Sequence, residues 1–139
     1  MKKTSIRILQ ILFGAYVSVC VLMYFFQESM IFFPEKLDRN YKFTFTQNHE
    51  EIFLPTEDGT SLHGLLFTAD SSKGLIFYLH GNAGSLSTWG DVAKVYLEQN
   101  YDVFILDYRG FGKSEGDIGG QGELFQDVQL AYDAMKKKY

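Results

Sequence analysis

Hydrophobic and polar positions change period several times along this chain. From Ile8 to Gln27 no charged residue occurs, and Ile, Leu, Val and Phe dominate. At about 1.5 Å per helical residue this stretch reaches roughly 30 Å, the thickness of a bilayer's hydrocarbon core. It predicts one transmembrane helix. Beyond it, Tyr41, Phe43 and Phe45 alternate with polar residues and predict a short strand with one buried face. Ile52-Phe53-Leu54 and Leu62 to Phe67 flank Glu57-Asp58-Gly59, the pattern of a hairpin.

The period then shifts. Leu75 to Leu79 and Val103 to Leu106 are continuous apolar runs, expected of strands buried on both faces. Between them Leu86, Trp89, Val92, Ala93, Tyr96 and Leu97 repeat at helical spacing. Asn100 follows, a residue suited to a left-handed helix end. Leu124, Val128, Ala131, Tyr132 and Met135 form a second amphipathic stripe. Glu123 and Asp127 near its start and Lys136 to Lys138 at its end suit the helix dipole. Antiparallel strands followed by β-α-β-α give an α/β fold, with the two apolar runs as a parallel pair. Residues 1–27 read as a cytoplasmic stub and anchor, and residues 28–139 as the domain.

Composition sharpens this picture. All 17 Asp and Glu lie at or after residue 28, whereas Lys2, Lys3 and Arg7 precede the apolar run. The positive-inside bias therefore predicts a single-pass protein with a cytoplasmic N-terminus. Its acidic domain lies on the far side, whether periplasmic, extracellular or lumenal. Lipid is the expected partner through residues 8–27. A cleaved signal peptide would have a shorter apolar core and a small-residue exit site, which Glu28-Ser29-Met30 does not offer. The acidic balance excludes nucleic acid as the main partner. A single cysteine, Cys20, excludes a disulfide scaffold and a cysteine-built zinc site. No metal or cofactor motif is present.

Catalytic groups of open α/β sheets gather at the carboxyl ends of strands. Two loops occupy such positions. In His80-Gly81-Asn82-Ala83-Gly84 the small residues allow a sharp turn with amide N–H groups aimed into a cleft, where they can bind an oxyanion. The second loop runs from Asp107 through Tyr108, Arg109, Gly110, Phe111, Gly112 and Lys113 to Ser114, Glu115 and Gly116. Its Gly112-Lys113-Ser114-Glu115-Gly116 matches G-x-S-x-G literally. A nucleophile elbow needs a strand directly before the first glycine and a helix directly after the serine. The apolar run ends at Asp107, and the glycine-rich stretch to Gly122 is unsuited to helix, so Ser114 fails as nucleophile. P-loop and dinucleotide fingerprints fail here too, because their glycines fall at the wrong spacing.

HGNAG after one apolar run and DYRGFGKSEG after the next, together with Ser29-Met30-Ile31-Phe32-Phe33-Pro34, resemble the α/β-hydrolase superfamily. The resemblance is to its membrane-anchored, abhydrolase-domain serine hydrolases. It implies that the Asn82 backbone amide contributes to an oxyanion hole, within an active-site loop of His80, Gly81, Ala83 and Gly84. Asp107, Arg109, Gly110, Gly112 and Ser114 would form a structural loop. The family's nucleophile, acid and histidine come later in the chain, so no catalytic triad residue is expected in this sequence; His49, His63 and His80 all fall too early. The expectation is the N-terminal half of a hydrolase sheet, inactive alone, from a protein that cleaves esters or thioesters of small molecules or acyl chains. A non-catalytic membrane-anchored module or a pseudo-hydrolase is the alternative.

Overall fold

A computed structural model describes residues 3–139, so the basic residue Lys2 lies outside the described residues. The chain forms two compact units, one ending at Phe32 and the other running from Phe33 to Tyr139. The first is a single helix, α1 (Lys3–Ile31), with no buried residue. It is long and apolar enough to cross a membrane. It exceeds the predicted span at both ends because Lys3, Arg7 and Glu28 are good helix formers that charge excludes only from the lipid core, not from the helix. Ser18 Oγ donates to the Gly14 carbonyl at 2.9 Å, which satisfies the hydroxyl without leaving the helix.

The second unit begins with β1 (Phe33–Pro34), followed by β2 (His49–Pro55) and β3 (Ser61–Phe67). Next come β4 (Leu75–Leu79), β5 (Ala83–Gly84) and α2 (Leu86–Trp89). A single 3-10 turn over Gly90–Val92 leads into α3 (Ala93–Leu97), and the chain continues with β6 (Asp102–Asp107) and α4 (Gln121–Lys138). Strands β2, β3, β6 and β4 form one sheet in that order. The β2–β3 hairpin is antiparallel and turns at Gly59, whose φ of 85° is left-handed. Strand β6 runs antiparallel to β3 and parallel to β4, in the register Tyr78 opposite Ile105. This is the predicted β-α-β unit. Asn100 ends its crossover at φ 64°, as its position past the stripe predicts.

The predicted helical stripe faces the sheet, although the 3-10 turn splits it. Leu86 and Ala93 are fully buried with Leu65, Phe67, Val103 and Ile105, and Trp89, Tyr96 and Leu97 pack beside them. Residues at alternate positions point to the opposite face, where Phe77 lies between Phe104 and Tyr132 of α4. Gly64 makes room there, because a Cβ would stand 2.4 Å from the Phe104 ring.

Two expectations need correction. Tyr41 to Phe45 form no strand. Phe43 and Phe45 reach the core from an irregular segment instead, stacking on His63 and meeting Phe67 edge-on. Aromatic spacing registered burial, but no partner strand lies alongside to take the backbone bonds. Strand β4 is only partly buried, unlike β6, because it occupies the edge of the described sheet.

Candidate active site

The two loops at the carboxyl ends of β4 and β6 lie side by side but differ in exposure. Gly81, Asn82 and Ala83 are exposed, whereas every residue from Tyr108 to Ser114 is buried. The first loop presents its backbone to solvent at these three residues, and the second does so only past Ser114.

That loop is held by its carbonyls. The His80 carbonyl accepts from the Tyr108 hydroxyl at 2.8 Å. The Gly81 carbonyl lies 2.7 Å from His80 Nδ1, and since a carbonyl only accepts, Nδ1 carries the proton. The Asn82 carbonyl accepts from the Phe33 N–H at 2.8 Å, that of Ala83 from Trp89 Nε1 at 2.8 Å, and that of Gly84 from the Glu35 N–H at 2.9 Å. Five consecutive carbonyls, from His80 to Gly84, are thus each tied to a donor. A trans peptide sets its N–H opposite its C=O, so fixing the Gly81 carbonyl fixes the direction of the Asn82 N–H. The glycines are sterically required at two points. Gly84 has φ 85°, and a Cβ on Gly81 would press to 3.0 Å from the Trp89 ring beneath the loop.

The second loop is a buried charge lattice. Asp107 is fully buried, and its Oδ1 accepts from the Leu86 N–H at 3.1 Å. His80 Nε2 stands 3.3 Å from the same oxygen, aimed too poorly for a hydrogen bond, and His63 Nδ1 is 3.7 Å from Oδ2. His63 Nε2 meets Glu51 at 2.9 Å, which in turn accepts from the buried Lys113 at 2.6 Å. Gly112 approaches Asp107 so closely that a Cβ would lie 1.9 Å from Oδ2.

Arg109 is clamped by three carboxylates. Its Nε and Nη2 donate to the two oxygens of Asp127 at 2.6 and 3.0 Å, and its Nη1 donates to Asp58 at 2.6 Å. Glu123 lies 3.2 Å away. The guanidinium, and secondarily the Thr56 hydroxyl, holds the Asp58 carboxyl far below the ordinary aspartate range. Asp127, and then Asp58, hold Arg109 still more firmly protonated. Tyr108 is pushed up to about 12, first by burial and then by the nearby Tyr78 and Asp107.

Ser114 has no nucleophilic geometry. Its hydroxyl donates to the Asp107 carbonyl at 2.6 Å and accepts from the His63 N–H at 2.8 Å, inside the protein. Gly110, at φ 78°, turns this loop back on itself. The Tyr108 hydroxyl and Glu35 join the two loops, and Glu51, which lies outside any sequence motif, ties Lys113 to His63. Asp127 carried a faint signal, an acid at a helical position one turn before the buried Ala131.

A parallel pair with an exposed amide loop after its first strand and a buried Asp-Tyr-Arg-Gly turn after its second defines the N-terminal portion of an α/β-hydrolase sheet. The sequence model of the hydrolase family described as serine aminopeptidase, S33, matches residues 70–139, and the chain belongs to that family. Similar proteins include the uncharacterized protein YfhR of Escherichia coli K12. It is 35% identical over 94 residues, which are 64% of this chain and 33% of YfhR. The lysophosphatidylserine lipase ABHD12 of Danio rerio is 39% identical over 72 residues, covering 49% of this chain and 18% of that protein. Among solved structures, the esterase Pf2001 of Pyrococcus furiosus superposes with a TM-score of 0.58 at 23% identity, over 78% of this chain and 42% of the esterase. The chain thus spans about a third of the length of a curated relative such as YfhR.

Proposed function

We propose that this sequence is the N-terminal part of a membrane-anchored serine hydrolase that cleaves esters or thioesters. The observation that supports the reading is the exposed loop with five tied carbonyls, whose fixed backbone suits the Asn82 amide to the role of oxyanion donor. Attack by a serine on an acyl carbonyl gives a tetrahedral intermediate. Its oxyanion takes the Asn82 N–H and a second amide next to the nucleophile. The nucleophile, acid and histidine come from sequence beyond residue 139, and the chain alone is inactive. Asp107, Arg109, Gly110, Gly112 and Ser114 act as scaffold. The lysophosphatidylserine lipase among its relatives favours an acyl ester as substrate.

A fluorophosphonate probe tests the assignment. Residues 1–139 stay unlabelled, and the longer protein labels at one serine outside them. Stoichiometric labelling of Ser114 overturns the reading.

Helix α1 holds the protein in a bilayer with its N-terminus in the cytoplasm, a reading supported by the apolar span and by Lys2, Lys3 and Arg7 before it. Protease added outside sealed spheroplasts then digests residues after Glu28. Complete protection reverses the orientation.

A further inference from the structure

The segment Phe33–Leu37 is a strap between the two loops. Strand β1 pairs with β5 in parallel, and Lys36 bridges to Gly112. The strap donates from Phe33 and Glu35 to the carbonyls of Asn82 and Gly84. From its other side the Glu35 carbonyl accepts from the Gly112 N–H at 2.8 Å, and the Leu37 N–H donates to the Gly112 carbonyl at 2.8 Å. Pro34, which has no N–H, sits between the two donors toward the first loop, so its missing hydrogen breaks no bond there.

One residue of the strap adds side-chain chemistry. Glu35 Oε2 accepts from Ser85 Oγ at 2.7 Å and from Ser87 Oγ at 3.0 Å, while those two hydroxyls lie 2.8 Å apart. Each hydroxyl has one proton to give, and the same Glu35 oxygen accepts from both. Ser85 is buried and is also the N-cap of α2, accepting from the Ser87 N–H. The carboxylate therefore grips the point where the exposed loop enters its helix, and the same residue's backbone grips Gly84 and Gly112.

The geometry points to Glu35 as a positioning residue for the oxyanion loop: it fixes the Gly81–Gly84 backbone from outside the loop by holding Gly84, Ser85 and Ser87 at once. Its catalytic relevance rests on the assignment of the Asn82 amide as oxyanion donor. The position of the loop does not.

Hydrogen exchange of the full chain in detergent micelles, read by mass spectrometry, separates the two. Glu35→Ala speeds exchange of the hydrogen-bonded amides at the loop's exit, Leu86 and Ser87, about tenfold, the scale of a lost charge-assisted hydrogen bond. Exchange in β3 and β6 stays unchanged. Glu35→Gln, which keeps an acceptor, recovers most of the protection. If Glu35→Ala fails to fold, Ser87→Ala removes one of the same contacts while sparing the cap and the strap, and raises loop exchange by a smaller factor. Unchanged loop exchange in these variants overturns the positioning role. In the longer protein, turnover of a small ester by Glu35→Ala falls in kcat with KM unchanged. Faster loop exchange with unaltered kcat leaves Glu35 its positioning role and overturns the oxyanion assignment of Asn82.

Discussion

Replacing Asp127 by Asn isolates the value of the buried clamp on Arg109. The carboxylate and guanidinium are 5% and 9% exposed and share two hydrogen bonds. Breaking a buried pair from one side costs about 3–5 kcal/mol, because the remaining charge stays out of water. Two features reduce that here. Asp58 and Glu123 still face the guanidinium, and the Asn carbonyl still accepts one of the two bonds. The Asn amide then points its own donors at a donor. A loss of about 2–3 kcal/mol follows from one charge-assisted bond forfeited and one donor left facing another. In a unit of this size that lowers Tm by about 10 °C or more. Removing the Lys36–Asp117 pair by Lys36→Ala is the control. Its side chains are 62% and 81% exposed, so it contributes no more than about 1 kcal/mol and fades with salt. Urea unfolding of the full chain in detergent, followed by the emission of Trp89, the single tryptophan, measures both. If Asp127→Asn costs no more than Lys36→Ala, the clamp does not hold α4 and the loop after β6 together, and the reasoning fails.

Gly112→Ala places a Cβ 1.9 Å from the Asp107 carboxylate at φ 50°. The left-handed backbone costs about 1–2 kcal/mol and the displaced Leu86 hydrogen bond about 1–3 kcal/mol more, so the same urea assay shows severe loss or no folded protein. Tyr108→Phe leaves the buried His80 carbonyl without its donor, at about 1–3 kcal/mol near neutral pH. Because burial raises the Tyr108 pKa to about 12, the neutral phenol is the folded form. Its stabilisation is complete below the ordinary value of 10.0 and is lost as pH rises toward 12. An alkaline titration of stability therefore drops less steeply in Tyr108→Phe than in the parent chain.

How much of this was legible in the sequence depends on how local each feature is. The runs Leu75 to Leu79 and Val103 to Leu106, and the stripe between them, were enough for the parallel pair, because strand and helix periods are properties of contiguous residues. Gly59 and Asn100 were legible for the same reason: left-handed backbone favours few residue types. The strap was not. A two-residue strand has no periodicity, and Glu35 finds its partners some fifty residues away. Tyr41 to Phe45 misled because alternation reports which side chains are buried, not whether a neighbouring strand exists to pair with. Asp127 read only as a favourable charge near a helix start, and the tertiary contact is what shows it paired with Arg109.

The two loops explain why a literal G-x-S-x-G is a poor guide to chemistry here. Both follow parallel strands, and both are rich in glycine and polar side chains, so local composition does not separate them. What separates them is the direction in which polar groups are satisfied. After β4 the carbonyls are tied to the protein and the exposed backbone can receive charge from outside. After β6 the charged side chains are tied to one another: Arg109 to Asp127, Lys113 to Glu51, and the Ser114 hydroxyl to two backbone groups. A serine nucleophile must yield its proton to a base when substrate arrives. The Ser114 hydroxyl is instead pinned between the Asp107 carbonyl and the His63 amide, which joins β6 to β3, and freeing it would leave both buried backbone groups without a partner. On the proposed function the first loop is the one that meets an oxyanion, while the second ties the ends of β3 and β6 together through Ser114.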